Sequence, residues 1–139
     1  MFQHILVPTD FSKGSIQALE IAANIVSRDK GTISLLHVIE IISDTTFEEF
    51  QEFYTKLEKK AWGVIDALAA QFQDGQVEVK ASVLFGNRAE KILWFALEHD
   101  INLIVINSHK IRPEDPVRGW GTISYKVGVL SQCPVMLVK

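Results

Sequence analysis

The sequence has few of the features that mark secreted, membrane-spanning or metal-binding proteins. Its single cysteine, Cys133, cannot form an internal disulfide and suits a reducing compartment. No apolar run approaches the roughly 20 residues that cross a bilayer, and no basic, apolar secretory signal precedes the first strand. Histidine and cysteine spacings typical of metal sites are also missing. We therefore expect a soluble, cytoplasmic protein without a bound metal and without a membrane partner.

Charge of one sign is not in excess either. The 14 basic and 17 acidic residues leave a net charge of −3, and the basic residues are scattered along the chain. A surface that neutralises nucleic-acid phosphates is therefore not expected. The length of 139 residues and the hydrophobic content of 47% are those of one domain with an ordinary core.

What the sequence does contain is an alternation of strand and helix patterns. Runs rich in β-branched residues predict five strands, at Ile5–Val7, Ile33–Ile39, Val77–Leu84, Leu103–Ile106 and Val135–Val138. Helical periodicity fills the gaps between them. Crossover helices join parallel strands, so the pattern predicts one α/β domain over residues 1–139, a doubly wound parallel sheet with helices on both faces.

Polar residues mark the expected helix starts. Ser12 is placed to cap the first helix, and Asn87, with Glu90 three residues later, is placed to open the third. A capping box at residues 46–49 predicts the start of the second helix, and the fourth is expected to begin at Thr122. The apolar period of the second helix includes Phe50 and Leu57 among the residues that face the core.

Ligands of parallel sheets bind at the carboxyl ends of the strands. The candidate residues there, which follow strand ends or open the fourth helix, are Pro8, Thr9, Asp10, Val38, Ile106, Asn107, Lys110, Gly121, Thr122, Ile123 and Ser124. The free N–H groups of the fourth helix, beside two hydroxyls, favour an anion. Asp10 either accepts a hydrogen bond from a ribose or adenine group or caps the first helix with Ser12. Lys110 either contacts a phosphate or is a solvated loop lysine.

Other conspicuous side chains receive structural interpretations. His37, inside an apolar strand, is predicted to be a core residue with a hydrogen-bond partner. Trp62 and Trp94 are predicted packing residues, and Cys133 a buried small hydrophobe. The stretch from Ser108 to Gly121, with Trp120 near its end, is expected to be an ordered loop beside the site.

No enzyme motif is present in the sequence. It has no Gly-x-Ser-x-Gly elbow, no Walker loop and no nucleophile with an obvious base, so no dedicated catalytic activity and no catalytic residue are predicted. Slow incidental hydrolysis of ATP stays open. A phosphoacceptor receiver domain would need an aspartate after the third strand, where this chain has Phe85-Gly86.

Taken in order, several segments resemble the universal stress protein family along essentially the whole chain. They are Ile5-Leu6-Val7-Pro8-Thr9-Asp10-Phe11-Ser12, Leu35-Leu36-His37-Val38, Gly86-Asn87-Arg88-Ala89-Glu90-Lys91-Ile92, Ile101-Asn102-Leu103-Ile104-Val105-Ile106, Ser108-His109, Gly121-Thr122 and Cys133-Pro134-Val135-Met136-Leu137-Val138. Arg88 stands where the family commonly has proline. The resemblance implies a UspA-like, flavodoxin-like fold of the adenine nucleotide α-hydrolase type, with strand order 3-2-1-4-5. It also implies a homodimer joined through Val135–Val138.

Nucleotide-binding members of the family hold adenine and ribose at the first two strand ends. They bind the phosphates with a motif of Gly, two residues, Gly, nine residues, then Gly-Ser or Gly-Thr. Here Asn107 and Lys110 replace the first two glycines, and ten residues separate Lys110 from Gly121. Glycine lets backbone approach phosphate closely, so these changes disfavour binding.

Two hypotheses about function follow from the resemblance. The first, slightly favoured by the missing glycines, is a stress-response dimer that acts through contacts with a protein partner and has a degenerate nucleotide cleft. The second is a sensor that binds ATP or another adenine nucleotide, with magnesium, in that cleft.

Overall fold

The computed structural model describes residues 1–41, 46, 48–110, 113–114 and 122–139. Strands and helices alternate as β1 (His4–Pro8), α1 (Lys13–Ile25), β2 (Gly31–Ile39), α2 (Gln51–Phe72), β3 (Val77–Phe85), α3 (Arg88–Glu98), β4 (Leu103–Asn107), α4 (Ile123–Leu130) and β5 (Val135–Val138). The predicted α/β alternation is confirmed, with small shifts at the strand ends. The expected order of the loop before Gly121 and the placement of Trp120 fall largely outside the described residues.

The strands form one parallel sheet in the order β3-β2-β1-β4-β5, as the resemblance implied. In the register, Ile5 of β1 lies opposite Ile33 of β2 and Leu103 of β4. On the far side, Ile106 of β4 lies opposite Leu137 of β5. All strands run in the same direction, so their carboxyl ends meet at one edge of the sheet.

Helices cover both faces of this sheet. Ile5 and Val7 of β1 pack with Leu19 of α1 and Ile65 of α2 in one apolar cluster. Leu6, whose side chain points to the opposite face, packs instead with residues of α3 and α4 in a second cluster. The alternation of side chains along β1 therefore places α1 and α2 on one face of the sheet, and α3 and α4 on the other.

Two of the predicted caps hold helix starts by side-chain hydrogen bonds. The Ser12 hydroxyl accepts a hydrogen bond of 3.2 Å from the Ser15 amide at the start of α1. Asn87 Oδ1 accepts one of 3.0 Å from the Glu90 amide at the start of α3. Thr122 is the N-cap residue of α4, as expected, but its hydroxyl makes no capping bond to the helix.

The predicted start of α2 is wrong. The Thr46 hydroxyl does accept a hydrogen bond of 3.2 Å from the Glu49 amide, but this bond precedes the helix. The N-cap of α2 is Phe50, without a side-chain bond. The first backbone bond of α2, 3.0 Å long, runs from the Tyr54 amide to the Phe50 carbonyl. Tyr54 is fully buried, so the helix begins where it first meets the core.

Helical periodicity also assigned too many residues to the core. Phe50, Leu57 and Trp94 are 41%, 36% and 47% exposed. The buried residues of α2 form a narrow stripe of Tyr54, Ala61, Ile65 and Ala69, because this helix lies over β2 and β3 at the side of the sheet. Trp62 packs partly against the core as expected. Cys133 is half-buried rather than buried.

Two glycines provide a matched test of the packing. A Cβ atom on Gly31, at the start of β2, would lie 2.1 Å from the Ser27 carbonyl oxygen. A Cβ on Gly63, within α2, would meet nothing within 4 Å. We expect Gly31→Ala to destabilise the fold by about 1–3 kcal/mol through overpacking. Gly63→Ala should stabilise it by roughly 0.5–1 kcal/mol through helix propensity. Urea denaturation of both variants measures the difference, and equal midpoints would contradict this packing.

Candidate functional site

A cleft of about 260 Å³ opens at the carboxyl edge of the sheet, between the ends of β1, β2 and β4 and the first turns of α3 and α4. Its lining residues are Pro8, Thr9, Asp10, Leu36, Val38, Arg88, Ile92, Ile106, Asn107, Ser108, His109, Thr122, Ile123 and Ser124. Most of the candidate residues are therefore brought together as the sequence predicted. Lys110 is exposed and does not line the cleft, and Gly121 is outside the described residues.

Five lining residues were missing from the predicted site: Leu36, Arg88, Ile92, Ser108 and His109. Ser108 and His109 directly follow β4, so the rule that ligands lie beyond strand ends was sufficient to find them. Arg88 opens α3, and the sheet order brings this helix start beside the end of β2. Its Nε atom lies 4.0 Å from Oε1 of Glu40, which immediately follows β2.

Thr9 holds the turn that follows β1. Its amide donates to the Leu36 carbonyl at 2.8 Å, and its hydroxyl lies 2.8 Å from the Ser15 hydroxyl and accepts a 3.0 Å bond from the Phe11 amide. His37 Nδ1 lies 2.8 Å from the Thr9 carbonyl oxygen, which confirms that this half-buried histidine has a hydrogen-bond partner. Thr9 thus fixes the shape of the cleft floor with groups that are already paired.

The same turn contains strained backbone. Phe11 has a φ of 68°, in the left-handed region that non-glycine residues rarely occupy. Its ring stacks on the His37 imidazole, with the ring centroids 4.3 Å apart. The Thr9 bonds and this stacking hold the turn in place, and Asp10, which lies between them, is thereby set at the cleft edge.

Asp10 both binds the start of α1 and presents a carboxylate to the cleft. Its Oδ1 accepts a 3.0 Å hydrogen bond from the Ser12 amide. Partial burial works to raise the pKa of Asp10, but hydrogen bonds from Ser12 and Ser15 outweigh it and hold the pKa below its usual value. The carboxylate is therefore charged at neutral pH. Both interpretations of Asp10 in the sequence are compatible with this geometry.

Hydroxyl groups gather at the other end of the cleft, where β4 ends and α4 begins. The Ser124 hydroxyl donates to the Ser108 hydroxyl at 2.9 Å, and the Thr122 hydroxyl lies 3.2 Å from that of Ser124. Ser108 and Ser124 are both buried. The Thr122 hydroxyl makes no capping bond, so the first amides of α4 are not capped by the side chain of the N-cap residue.

Asn107 is accommodated by a glycine on α1. A Cβ atom placed on Gly14 would lie 3.2 Å from Asn107 Nδ2. The amide side chain therefore uses the space that Gly14 leaves and forms part of the cleft wall. The glycine expected at position 107 is absent, but its replacement is housed against the neighbouring helix.

The described residues contain no cluster of three or more histidine, cysteine or acidic side chains that would hold a metal ion. Across the same ranges, none of the helices has both the length and the apolar character needed to cross a membrane.

The chain is matched over residues 1–139 by the model of the universal stress protein family. It belongs to this family. Universal stress protein YxiE of Bacillus subtilis is 28% identical over 149 residues, which cover 100% of both chains. The solved structure of MJ0577, a universal stress protein of Methanocaldococcus jannaschii, has a TM-score of 0.85 at 28% identity and matches 100% of this chain and 96% of its own.

A universal stress protein of Archaeoglobus fulgidus, solved in complex with dAMP, shares the fold at 18% identity. Its TM-score is 0.68, and the match covers 100% of this chain and 98% of that chain. The UspA-like α/β fold inferred from the sequence is therefore confirmed.

The charge on Asp10 gives a pH prediction. Its lowered pKa in the folded state means that it contributes stability above the usual carboxyl range, which is lost as the pH falls below about 4. Ser12→Ala, which removes one of its hydrogen-bond donors, should shift the carboxyl titration of Asp10 upward in an NMR pH series. Ser27→Ala, at a remote serine, should leave it in place. An Asp10 titration that does not move in Ser12→Ala contradicts the assigned cause.

Proposed function

We propose that this universal stress protein binds an adenine nucleotide in the cleft, in the cytoplasm and as part of a stress response. The observation that carries the proposal is the polarity of the cleft. One end combines apolar side chains with a charged Asp10, and the other combines the hydroxyls of Ser108, Thr122 and Ser124 with the first turn of α4. The first end is chemically complementary to a nucleoside, and the second end is complementary to a phosphate.

The base and ribose fit the side nearest β2. Val38, Ile106 and Ile92 supply apolar surface for a planar base, and the Asp10 carboxylate accepts hydrogen bonds from ribose hydroxyls. The phosphates then extend toward α4, whose positive dipole end and uncapped amides attract negative charge. The dAMP complex of the A. fulgidus relative supports an adenine nucleotide as the ligand class for this fold.

The two residues that depart from the family's glycine motif argue less strongly against nucleotide binding once their places in the structure are known. Asn107 lies against Gly14, and Lys110 is exposed outside the cleft lining. Asn107 contributes to the cleft wall, and Lys110 does not line the cleft. The geometry therefore favours the nucleotide hypothesis over a closed, degenerate cleft.

Titration calorimetry with ATP and magnesium tests the proposed site. We expect modest affinity for the wild type. Thr122→Val and Ser124→Ala should each weaken binding roughly three- to tenfold, which corresponds to one lost hydrogen bond. Ser131→Ala, at the opposite end of α4, is the matched control and should not change the affinity. Wild-type binding that is insensitive to both substitutions would place the phosphates elsewhere, and no binding at all would return the protein to the partner-binding hypothesis.

The double variant Asn107→Gly and Lys110→Gly distinguishes an open cleft from a degenerate one. If Asn107 and Lys110 leave the nucleotide space free, the two substitutions should not change ATP affinity in the same calorimetric experiment. A large gain would show that these side chains obstruct the cleft of the wild type, as the partner-binding hypothesis requires.

Dimerisation through β5 is a second element of the proposal. This strand lies at the edge of the sheet, next to β4 alone. The Pro134 and Val138 carbonyls accept hydrogen bonds from the amides of Ile104, within β4, and of Ser108, directly after it. By the alternation of a parallel ladder, the amides of Val135 and Leu137 point outward, where a second β5 strand can pair with them.

The alternation of inward and outward amides along β5 suggests a test of the dimer. Leu137→Pro removes an outward amide and leaves the bonds to β4 in place, so it should convert the dimer to a folded monomer. Leu137→Ala keeps the amide and should remain dimeric. Light scattering at micromolar concentration, with circular dichroism to confirm folding, reports the outcome. A monomeric wild type contradicts the proposed interface.

We also propose that the protein has no dedicated catalytic activity. The Ser108 and Ser124 hydroxyls in the cleft are hydrogen-bonded to each other, and the Ser108 hydroxyl contacts His109 through the backbone carbonyl of that residue. Among the described residues, the cleft thus offers groups suited to binding phosphate, but no hydroxyl nucleophile with a base beside it.

A further inference from the structure

Lys139, which follows β5, directs its ammonium group at the back of the hydroxyl end of the cleft. Its Nζ atom donates to the Tyr125 hydroxyl at 2.6 Å, to the His109 carbonyl oxygen at 3.2 Å and to the Ser108 hydroxyl at 3.3 Å. It also lies 4.7 Å from the centroid of the Tyr125 ring. These four contacts give Lys139 a defined position behind the cleft wall.

The lysine continues a line of hydrogen-bonded hydroxyls. Thr122 lies 3.2 Å from Ser124, Ser124 donates to Ser108 at 2.9 Å, and Lys139 donates to Ser108 from the other side. The three hydroxyl residues line the cleft, but Lys139 does not. Its charge therefore reaches a ligand through Ser108 rather than by direct contact.

The direction of these bonds explains what the lysine does. An ammonium group has no acceptor, so Lys139 donates its proton to Ser108 Oγ. The Ser108 proton points to the His109 carbonyl at 3.4 Å, and Ser108 Oγ accepts from both Ser124 and Lys139. When a phosphate arrives, the Ser124 hydroxyl can turn its proton to a phosphate oxygen. Lys139 still pairs with the buried Ser108 oxygen, which spares the cost of leaving it unsatisfied.

The charge of Lys139 is also placed where the cleft has little positive charge of its own. Among the described lining residues, Arg88 is the one with a permanent positive charge, and it lies at the start of α3 beside Glu40. The hydroxyl end near Thr122 is at the start of a different helix, α4. Lys139 supplies a cation behind that end, and its field favours a bound anion.

We propose that Lys139 is a positioning residue for the phosphate groups of the ligand, acting through Ser108 and Ser124. This inference rests on the nucleotide site proposed above and names the group that sets its preference for phosphorylated ligands. The ligand class it selects is an adenosine phosphate over unphosphorylated adenosine.

Calorimetry with ATP and with adenosine separates this role from a structural one. Lys139→Met should weaken ATP binding roughly three- to tenfold, as expected for one charged hydrogen bond, and leave adenosine binding unchanged. Lys139→Arg, which retains charge and donors, should restore most of the ATP affinity. Lys126→Met, which removes an exposed lysine of α4, is the matched control and should behave as wild type.

A double-mutant cycle tests the route through Ser108. In a Ser108→Ala background, Lys139→Met should cause little further loss of ATP affinity, because the oxygen that connects the lysine to Ser124 is already absent. Additive losses overturn the proposed route, as does an equal loss for ATP and adenosine in Lys139→Met. Wild-type ATP affinity in Lys139→Met overturns the inference and leaves the nucleotide site intact. A wild type that binds neither ligand overturns both.

Discussion

The structure depends on the complete burial of its central strand. Ile5, Leu6 and Val7 of β1 are 0% exposed, so both faces of the strand need a covering layer. Helices that join parallel strands supply those layers, which makes every strand run the same way. A consequence is that the ends of β1, β2 and β4 all open at one edge. The cleft exists because the hydrophobic requirement of β1 gathers three strand ends in one place.

The buried polar atoms at that edge also need hydrogen-bond partners, and pairs of hydroxyl groups provide them for each other. The Thr9 and Ser15 hydroxyls bond at 2.8 Å on one side, and those of Ser108 and Ser124 bond at 2.9 Å on the other. Among the described residues, no buried side-chain nitrogen or oxygen lacks a partner. A ligand that bonds to these hydroxyls must therefore replace hydrogen bonds that they already make, whereas the first amides of α4 are not capped by a side chain. This requirement keeps affinity modest and makes the groups behind the hydroxyls important.

The sequence correctly predicted features that depend on local periodicity. It failed for features that depend on which helices and strands pack beside a given element. Strand runs and the caps at Ser12 and Asn87 are local signals, and the structure confirms them. The exposure of Trp94 could not be predicted in this way, because the width of a buried stripe depends on which elements pack beside the helix. Arg88 was missed as a cleft residue because no local signal in the sequence shows that its side chain, at the start of α3, reaches the cleft beside β2. Lys139 is 31 residues from Ser108 along the chain, and only the pairing of β4 with β5 joins them.

The relation between Asn107 and Gly14 shows why a motif position cannot be judged alone. A glycine at the end of β4 would let a phosphate approach the backbone of that strand. From the sequence alone, asparagine at this position is expected to block that approach. In the fold, the absence of a Cβ on Gly14 lets the Asn107 amide lie against α1, with only 3.2 Å between Nδ2 and the position that a Cβ would take. An alanine at position 14 would crowd the Asn107 amide and force it to shift. The space that the site offers a nucleotide therefore depends on β4 and α1 together, although the residues of the family motif lie only after β4 and at the start of α4.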